Sequence, residues 1–211
     1  MLEFAQVLIA ALLATGGWAV VTVKDVPEYF VAGQQYTIEF QVRQHGRTLL
    51  NDLHPSLVIS TSDRRLGATV PAVARPSDGT YAVTFTAPNA ERVFLTIKSG
   101  FMNTQLRLYP QPVVAAGGSR PVTTAGERGQ ILFVAKGCNT CHSNIDLSAR
   151  PDNQSITAGP ELGGRHLARE YVMQKIKGPA SQIMPDLGLS DAEANAIAAF
   201  LSGDRAAATG R

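Results

Sequence analysis

Two thiols and an imidazole stand together in this chain, in the run Cys138-Asn139-Thr140-Cys141-His142. The spacing Cys-x-x-Cys-His suits one chemistry in particular. Two thiols separated by two residues can reach the two vinyl groups of a haem and form thioethers. The next residue then places an imidazole under the iron as an axial ligand. Other readings of the pattern lack parts. A structural zinc site needs four ligands, there is no second cysteine pair, and His166 alone does not supply the rest. A thioredoxin-like dithiol follows a strand in a βαβ unit, whereas this pair follows a stretch of helical periodicity. Cys138 and Cys141 are the only cysteines in 211 residues, which also excludes a disulfide framework.

The elements around the motif have helical spacing. From Thr124 the apolar positions Ile131, Phe133 and Val134 precede the cysteines, and Ala194, Ile197, Ala198 and Leu201 follow near the end. Ser190 and Glu193 have capping-box spacing at the start of that last helix. Residues from about Gly126 to Ser202 resemble a small class I cytochrome c. The resemblance rests on Gly129 and Phe133 in the first helix, the Cys138–His142 motif, Gly159-Pro160 with Leu162, Met184-Pro185, and the last helix through Phe200. It implies an all-α cytochrome c fold over 124–204 with one covalently attached haem c. His142 would be the proximal and Met184 the distal iron ligand, with the Pro160 carbonyl on the other nitrogen of the histidine ring. Gly129 would let the first and last helices cross closely, with Phe133 and Phe200 packed beside the crossing. Cofactor-binding residues are therefore expected at Cys138, Cys141, His142, Met184, Pro160 and Leu162. Met173 and His166 are the rivals of Met184 for the distal position. Met173 sits in Tyr171–Lys175, which reads as a short helix with a core role for the methionine.

The preceding region has a different period. Tyr36, Ile38, Phe40 and Val42 alternate with polar residues, as do Tyr81, Val83 and Phe85, and Val93, Leu95 and Ile97. Leu57–Ser60 and Leu106–Leu108 add short strands. This predicts an all-β, immunoglobulin-like sandwich over 19–110, and the segment Val42–Gly46 is similar to exported immunoglobulin-like domains of the YtkA type. The Pro-, Gly- and Ala-rich stretch 111–123 is expected to be a flexible linker, and 205–211 a tail. His45 and His54 lie near a turn and before Pro55. Without a cysteine they cannot build a blue-copper site, so surface histidines are expected there and a loose copper site is the lesser alternative. Trp18 and Tyr29 are open between interfacial and core positions.

Phe4–Val23 carries no charged residue, and Phe4–Ala14 is dense in Leu, Ile, Val and Ala. Residues 1–18 are therefore expected to form an apolar helix, either a cleaved export signal or a membrane anchor, while Val20, Val21 and Val23 read as a first strand. Export places the remainder on the periplasmic side of a bacterial inner membrane. Net charge is +2, so the composition excludes nucleic-acid binding driven by bulk charge. Lys136, Lys175 and Lys177 could border an exposed haem edge and steer an acidic partner, although ordinary solvated lysines are the favoured reading.

With nitrogen and sulfur on opposite sides, the iron would have no open position. That predicts a one-electron carrier, with no small-molecule substrate and no enzymatic activity of its own. Its partners would be redox proteins, as in a membrane-associated subunit of a respiratory or photosynthetic complex. A haem-based ligand sensor, or a peroxidase-like enzyme, is the alternative, and either requires the distal position to open.

Overall fold

A computed structural model describes residues 17–62, 67–75, 77–147, 156, 158–178 and 184–203. The expected signal or anchor helix falls almost wholly, and the tail wholly, outside the described residues. Among the described residues no helix is long and apolar enough to cross a membrane.

The described residues before the first helix build two packed antiparallel-rich sheets from eleven strands, numbered here in chain order. One sheet has the order β1 (Ala19–Val23), β3 (Gln35–Gln44), β8 (Thr80–Thr86), β7 (Val73–Arg75), with β4 (Thr48–Leu49) also paired to β3. The other has the order β2 (Phe30–Val31), β11 (Gln111–Val114), β9 (Arg92–Lys98), β5 (Ser56–Ser60), β6 (Ala68–Pro71), with β10 (Gln105–Arg107) also paired to β9. The alternation seen in the sequence fixes which faces meet. Ile38, Phe40 and Val42 of β3, Tyr81, Val83 and Phe85 of β8, and Val93, Leu95 and Ile97 of β9 are all buried between the sheets. Each such side chain contributes roughly 1.5–3 kcal/mol of burial. This is the β-sandwich that the period of two predicted.

The stretch expected to be linker does not begin at 111. Gln111–Val114 is β11, paired antiparallel to β9 and parallel to β2. β10 and β11 lie along the same edge of β9, and Leu108 N–H donates to Leu95 O between them at 2.9 Å. Pro110 and Pro112 break the pattern expected of a strand but not the pairing. Val113 supplies the donor next to Pro112, to Glu91 O at 2.9 Å.

Three helices follow among the described residues: α1 (Ala125–Ala135), α2 (Arg169–Lys177) and α3 (Asp191–Ser202). α3 starts at the capping box expected of Ser190 and Glu193, and α1 starts at a second one formed by Thr124 and Glu127. α1 crosses α3 at Gly129. A Cβ there would strike the Ala196 carbonyl and lie 2.8 Å from Phe200 Cβ, so only glycine allows this approach. Phe133 and Phe200 meet edge-on beside it, with centroids 5.7 Å apart.

The two bodies share one continuous apolar core. β1 explains how, since all five of its residues are buried. Ala19, Val21 and Val23 belong to the shared core, whereas Val20 and Thr22 point the opposite way, toward the helical part. Thr22 Oγ1 donates to Lys136 O at 3.4 Å, Lys136 Nζ to Lys24 O at 2.5 Å, and Arg128 Nη2 to Val26 O at 2.6 Å.

Candidate cofactor site

Gly137 and the 3-10 turn Cys138–Thr140 follow α1. Gly137 takes a φ of 78° that lets the chain reverse, and a Cβ on it would lie 2.5 Å from Val20 Cγ1. Cys141 N–H and His142 N–H both donate back to Cys138 O, at 3.2 and 3.0 Å. This winding brings both sulfurs and the imidazole toward one side. A second segment is laid against the turn by three backbone hydrogen bonds: Ile156 to Thr140 O, Gly159 to Cys141 O and Leu162 to Ser143 O, at 2.9, 2.8 and 2.9 Å.

That ladder delivers Pro160 to the histidine. His142 Nδ1 lies 2.9 Å from Pro160 O. A carbonyl can only accept, so Nδ1 carries the proton and Nε2 is left with its lone pair free to bind a metal. Gly159 lies against the face of the ring. A Cβ there would be 2.5 Å from Nδ1 and 2.9 Å from Nε2, so glycine is required by contact and not by backbone conformation.

Cys138, Cys141, His142, Pro160, Leu162 and Met184 all line a single cavity of about 500 Å³. Its wall is predominantly apolar, and its size lies within the range of sites that bury an organic cofactor. The far wall is α2, from which Tyr171, Val172, Lys175 and Ile176 face inward as one helical stripe. The two rivals of Met184 lie elsewhere. Met173 is on another face of α2, half-buried against the core, and the His166 ring packs on Gly203 after α3.

Burial pushes the Cys138 thiol up to about 12, and burial also raises Cys141. Dithiol redox centres work the other way, holding one thiolate at neutral pH. Held as neutral thiols, the pair is poorly suited to thiol exchange. The donor set fits haem c: two thiols, one imidazole with its second nitrogen fixed, and one soft thioether.

Of the three lysines only Lys136 departs from expectation, whereas Lys175 is at the cavity and Lys177 is exposed. Lys136 is neither a docking residue at the cavity edge nor a solvated surface lysine. It is buried, with Nζ 2.6 Å from Glu193 Oε1 and also bonded to Lys24 O, because its ammonium closes the joint between α1, α3 and the strand end at Lys24. Burial alone would raise the Glu193 carboxyl, but the bond from Lys136 and the cap bonds at Ser190 outweigh it and hold the group below its usual value. Lys177 is paired with Asp191 at 2.8 Å, and Lys175 lies over the Tyr171 ring, 5.6 Å from its centroid. His45 and His54 are exposed, and His45 is in a turn with its ring 5.6 Å from Trp18. Trp18 and Tyr29 are both half-buried. Among the described residues no group of three or more His, Cys, Asp or Glu could hold a metal ion by itself.

Val20, Tyr171 and Ile176 at the cavity were not expected as site residues. For α2 the signal was present, since 171, 172, 175 and 176 share one helical face. Val20 carried none beyond membership of an apolar strand.

Residues 124–201 match the family model described as cytochrome C oxidase, cbb3-type, subunit III. This part of the chain is a c-type cytochrome domain. Haem c is accordingly its cofactor and electron transfer its chemistry. The crystal structure of the Lin-41 filamin domain is similar over 45% of this chain and 90% of that one, at 18% identity and a TM-score of 0.32. No curated protein matches the chain.

Proposed function

We propose that the chain is a monohaem one-electron carrier in which Cys138 and Cys141 hold the porphyrin and His142 and Met184 ligate the iron. One observation carries this reading: the two thiols, the Pro160-bonded imidazole and the Met184 thioether line the same cavity, while Met173 and His166 do not. When bound, the haem supplies an iron that changes valence by one electron. A neutral thioether favours the ferrous state and raises the potential relative to two imidazoles. The residues of the chain supply the rest. Pro160 fixes the imidazole tautomer, the apolar wall lowers the local dielectric, and two protein ligands leave no iron position for a substrate.

The name of the matching family supports a respiratory membrane complex as the setting, with redox proteins as partners. The apolar stretch Phe4–Ala14 supports export to the periplasmic side of the inner membrane and association with it. The test is production of the full chain in a host that matures c-type cytochromes. The expected result is a mass increment of one haem, a low-spin spectrum in both valence states and a ferric methionine charge-transfer band that disappears in Met184→Ala. A bare polypeptide overturns the reading. Tight carbon monoxide binding by the reduced protein at neutral pH, or turnover with peroxide, would replace the carrier with a sensor or an enzyme.

A further inference from the structure

The cavity does not belong to the cytochrome domain alone. Val20 of β1 is part of its wall, on the opposite strand face from the residues that fill the shared core. Arg43 is the register partner of Val20 in β3 and therefore shares its face. Just past Arg43 the chain turns from β3 into β4 through His45 and Gly46, with φ of 52° and 73°, and His45 N–H donates to Trp18 O at 2.9 Å, beside the start of β1. The apex of this turn touches the residue after Met184: a Cβ on Gly46 would lie 3.1 Å from Pro185 Cγ and 3.6 Å from Val20 Cγ2.

We propose that β1 and the adjoining β3–β4 turn of the β-sandwich position the distal ligand. Val20 and the Gly46 turn brace Pro185 and so hold Met184 at the cavity. The proposal rests on the reading of Met184 as the iron ligand.

Two further features support it. The segment from Pro185 to Leu189 is neither helix nor strand, and its ties include Gly188 N–H to Asp186 Oδ1 at 2.8 Å and Lys177 Nζ to Leu189 O at 3.1 Å. Such a segment keeps one geometry only if neighbours hold it. The brace itself is fixed to the opposite side of the site, because Gly137 presses on Val20 and on Val21 O while Thr22 and Lys24 bind Lys136. β1 thereby joins the turn that carries His142 to the segment that carries Met184. Electrostatics act in the same sense. The half-buried Arg43 guanidinium, with Nη1 lacking a hydrogen-bond partner, attracts the Asp186 carboxylate two residues beyond Met184.

The experiment uses the full haem-loaded chain and three variants. Gly46→Val adds a side chain facing Pro185. Val20→Ala trims the wall. Gly33→Val is the control, because Gly33 has a φ of 76°, the same backbone penalty, and nothing within 4 Å of a new Cβ. The measurement is the concentration of added imidazole that displaces methionine from ferric iron, followed by the charge-transfer band, with the unfolding temperature recorded alongside. Gly46→Val and Val20→Ala are expected to lower that concentration by about tenfold, the lower range for residues that orient a metal ligand, with Gly33→Val unchanged. If Gly46→Val does not fold, Val20→Ala decides. Displacement at the wild-type concentration in the variants overturns the proposal while leaving the Met184 assignment intact. Absence of the band from the unaltered chain overturns both.

Discussion

Replacing Gly159 by alanine tests the proximal side most directly. Gly159 is outside the left-handed region, so alanine can adopt its backbone without strain. The only cost is contact. The new methyl carbon would lie 2.5 Å from His142 Nδ1, where carbon and nitrogen normally rest about 3.5 Å apart, so the ring must retreat by about 1 Å. That movement stretches the 2.9 Å bond from Nδ1–H to Pro160 O beyond useful length. Loss of a bond that orients a metal-bound histidine typically weakens the ligand 10–100-fold, or about 1.4–2.7 kcal/mol. The bond makes the imidazole more basic and favours ferric iron, so its loss should raise the reduction potential. A tenfold difference between valence states corresponds to about 59 mV for one electron. Redox titration of the haem-loaded variant should thus show a rise of several tens of millivolts. Gly178→Ala is the control, because the nearest atom to its new Cβ is Gln174 O at 3.4 Å. A Gly159→Ala protein that carries haem with unchanged potential and ferric spectrum refutes the reasoning.

Glu193→Gln leaves the Lys136 ammonium buried without its anion and should cost about 3 kcal/mol, a fall in melting temperature of roughly 6–12 °C. Because Glu193 is held below its usual value in the fold, its contribution is present above the ordinary carboxylate range and lost as pH falls through the depressed folded value, so acid unfolding curves of the variant and parent should converge. In haem-free chain, Cys138 at about 12 against an ordinary 9.0 has roughly a thousandfold less thiolate, and alkylation followed by peptide mass analysis should find it far slower than a model thiol. Gly129→Ala forces α1 from α3 and should destabilise the fold by at least about 1–3 kcal/mol in denaturant titration, without changing the ligand set seen in the spectrum.

The parts of the protein that were legible in the sequence are those whose cause is local. The alternation in β3, β8 and β9 records one dry face per strand, and the Ser190 box records the unpaired donors at a helix start. The Cys138–His142 spacing records the span of one porphyrin edge. Gly129 was legible only through the cytochrome resemblance. β11 was hidden because Pro110 and Pro112 remove the pattern of a strand while its pairing depends on β9 and β2, far away in sequence. Lys136 was misread because nothing beside it announces burial. Its partners, Lys24 and Glu193, come from opposite ends of the chain and meet only when both bodies are assembled. The same holds for Val20, whose role depends on which protein surface covers its outer face.

That outer face bears on what the sandwich contributes. A spacer on a flexible tether would need β1 to be dry on one face only, and its sequence would alternate like that of β3. Ala-Val-Val-Thr-Val does not alternate, and all five residues are buried. The outward pair, Val20 and Thr22, is covered by Gly137 and Lys136, the two residues that lead into the haem-binding turn. Docking of the helices takes Val20 out of water and gives the buried Thr22 hydroxyl the Lys136 carbonyl as its acceptor. The docking surface and the cofactor cavity then share a wall. A disturbance in the sandwich is transmitted to the haem pocket through β1 itself, with no need for the segment between β11 and α1 to relay it.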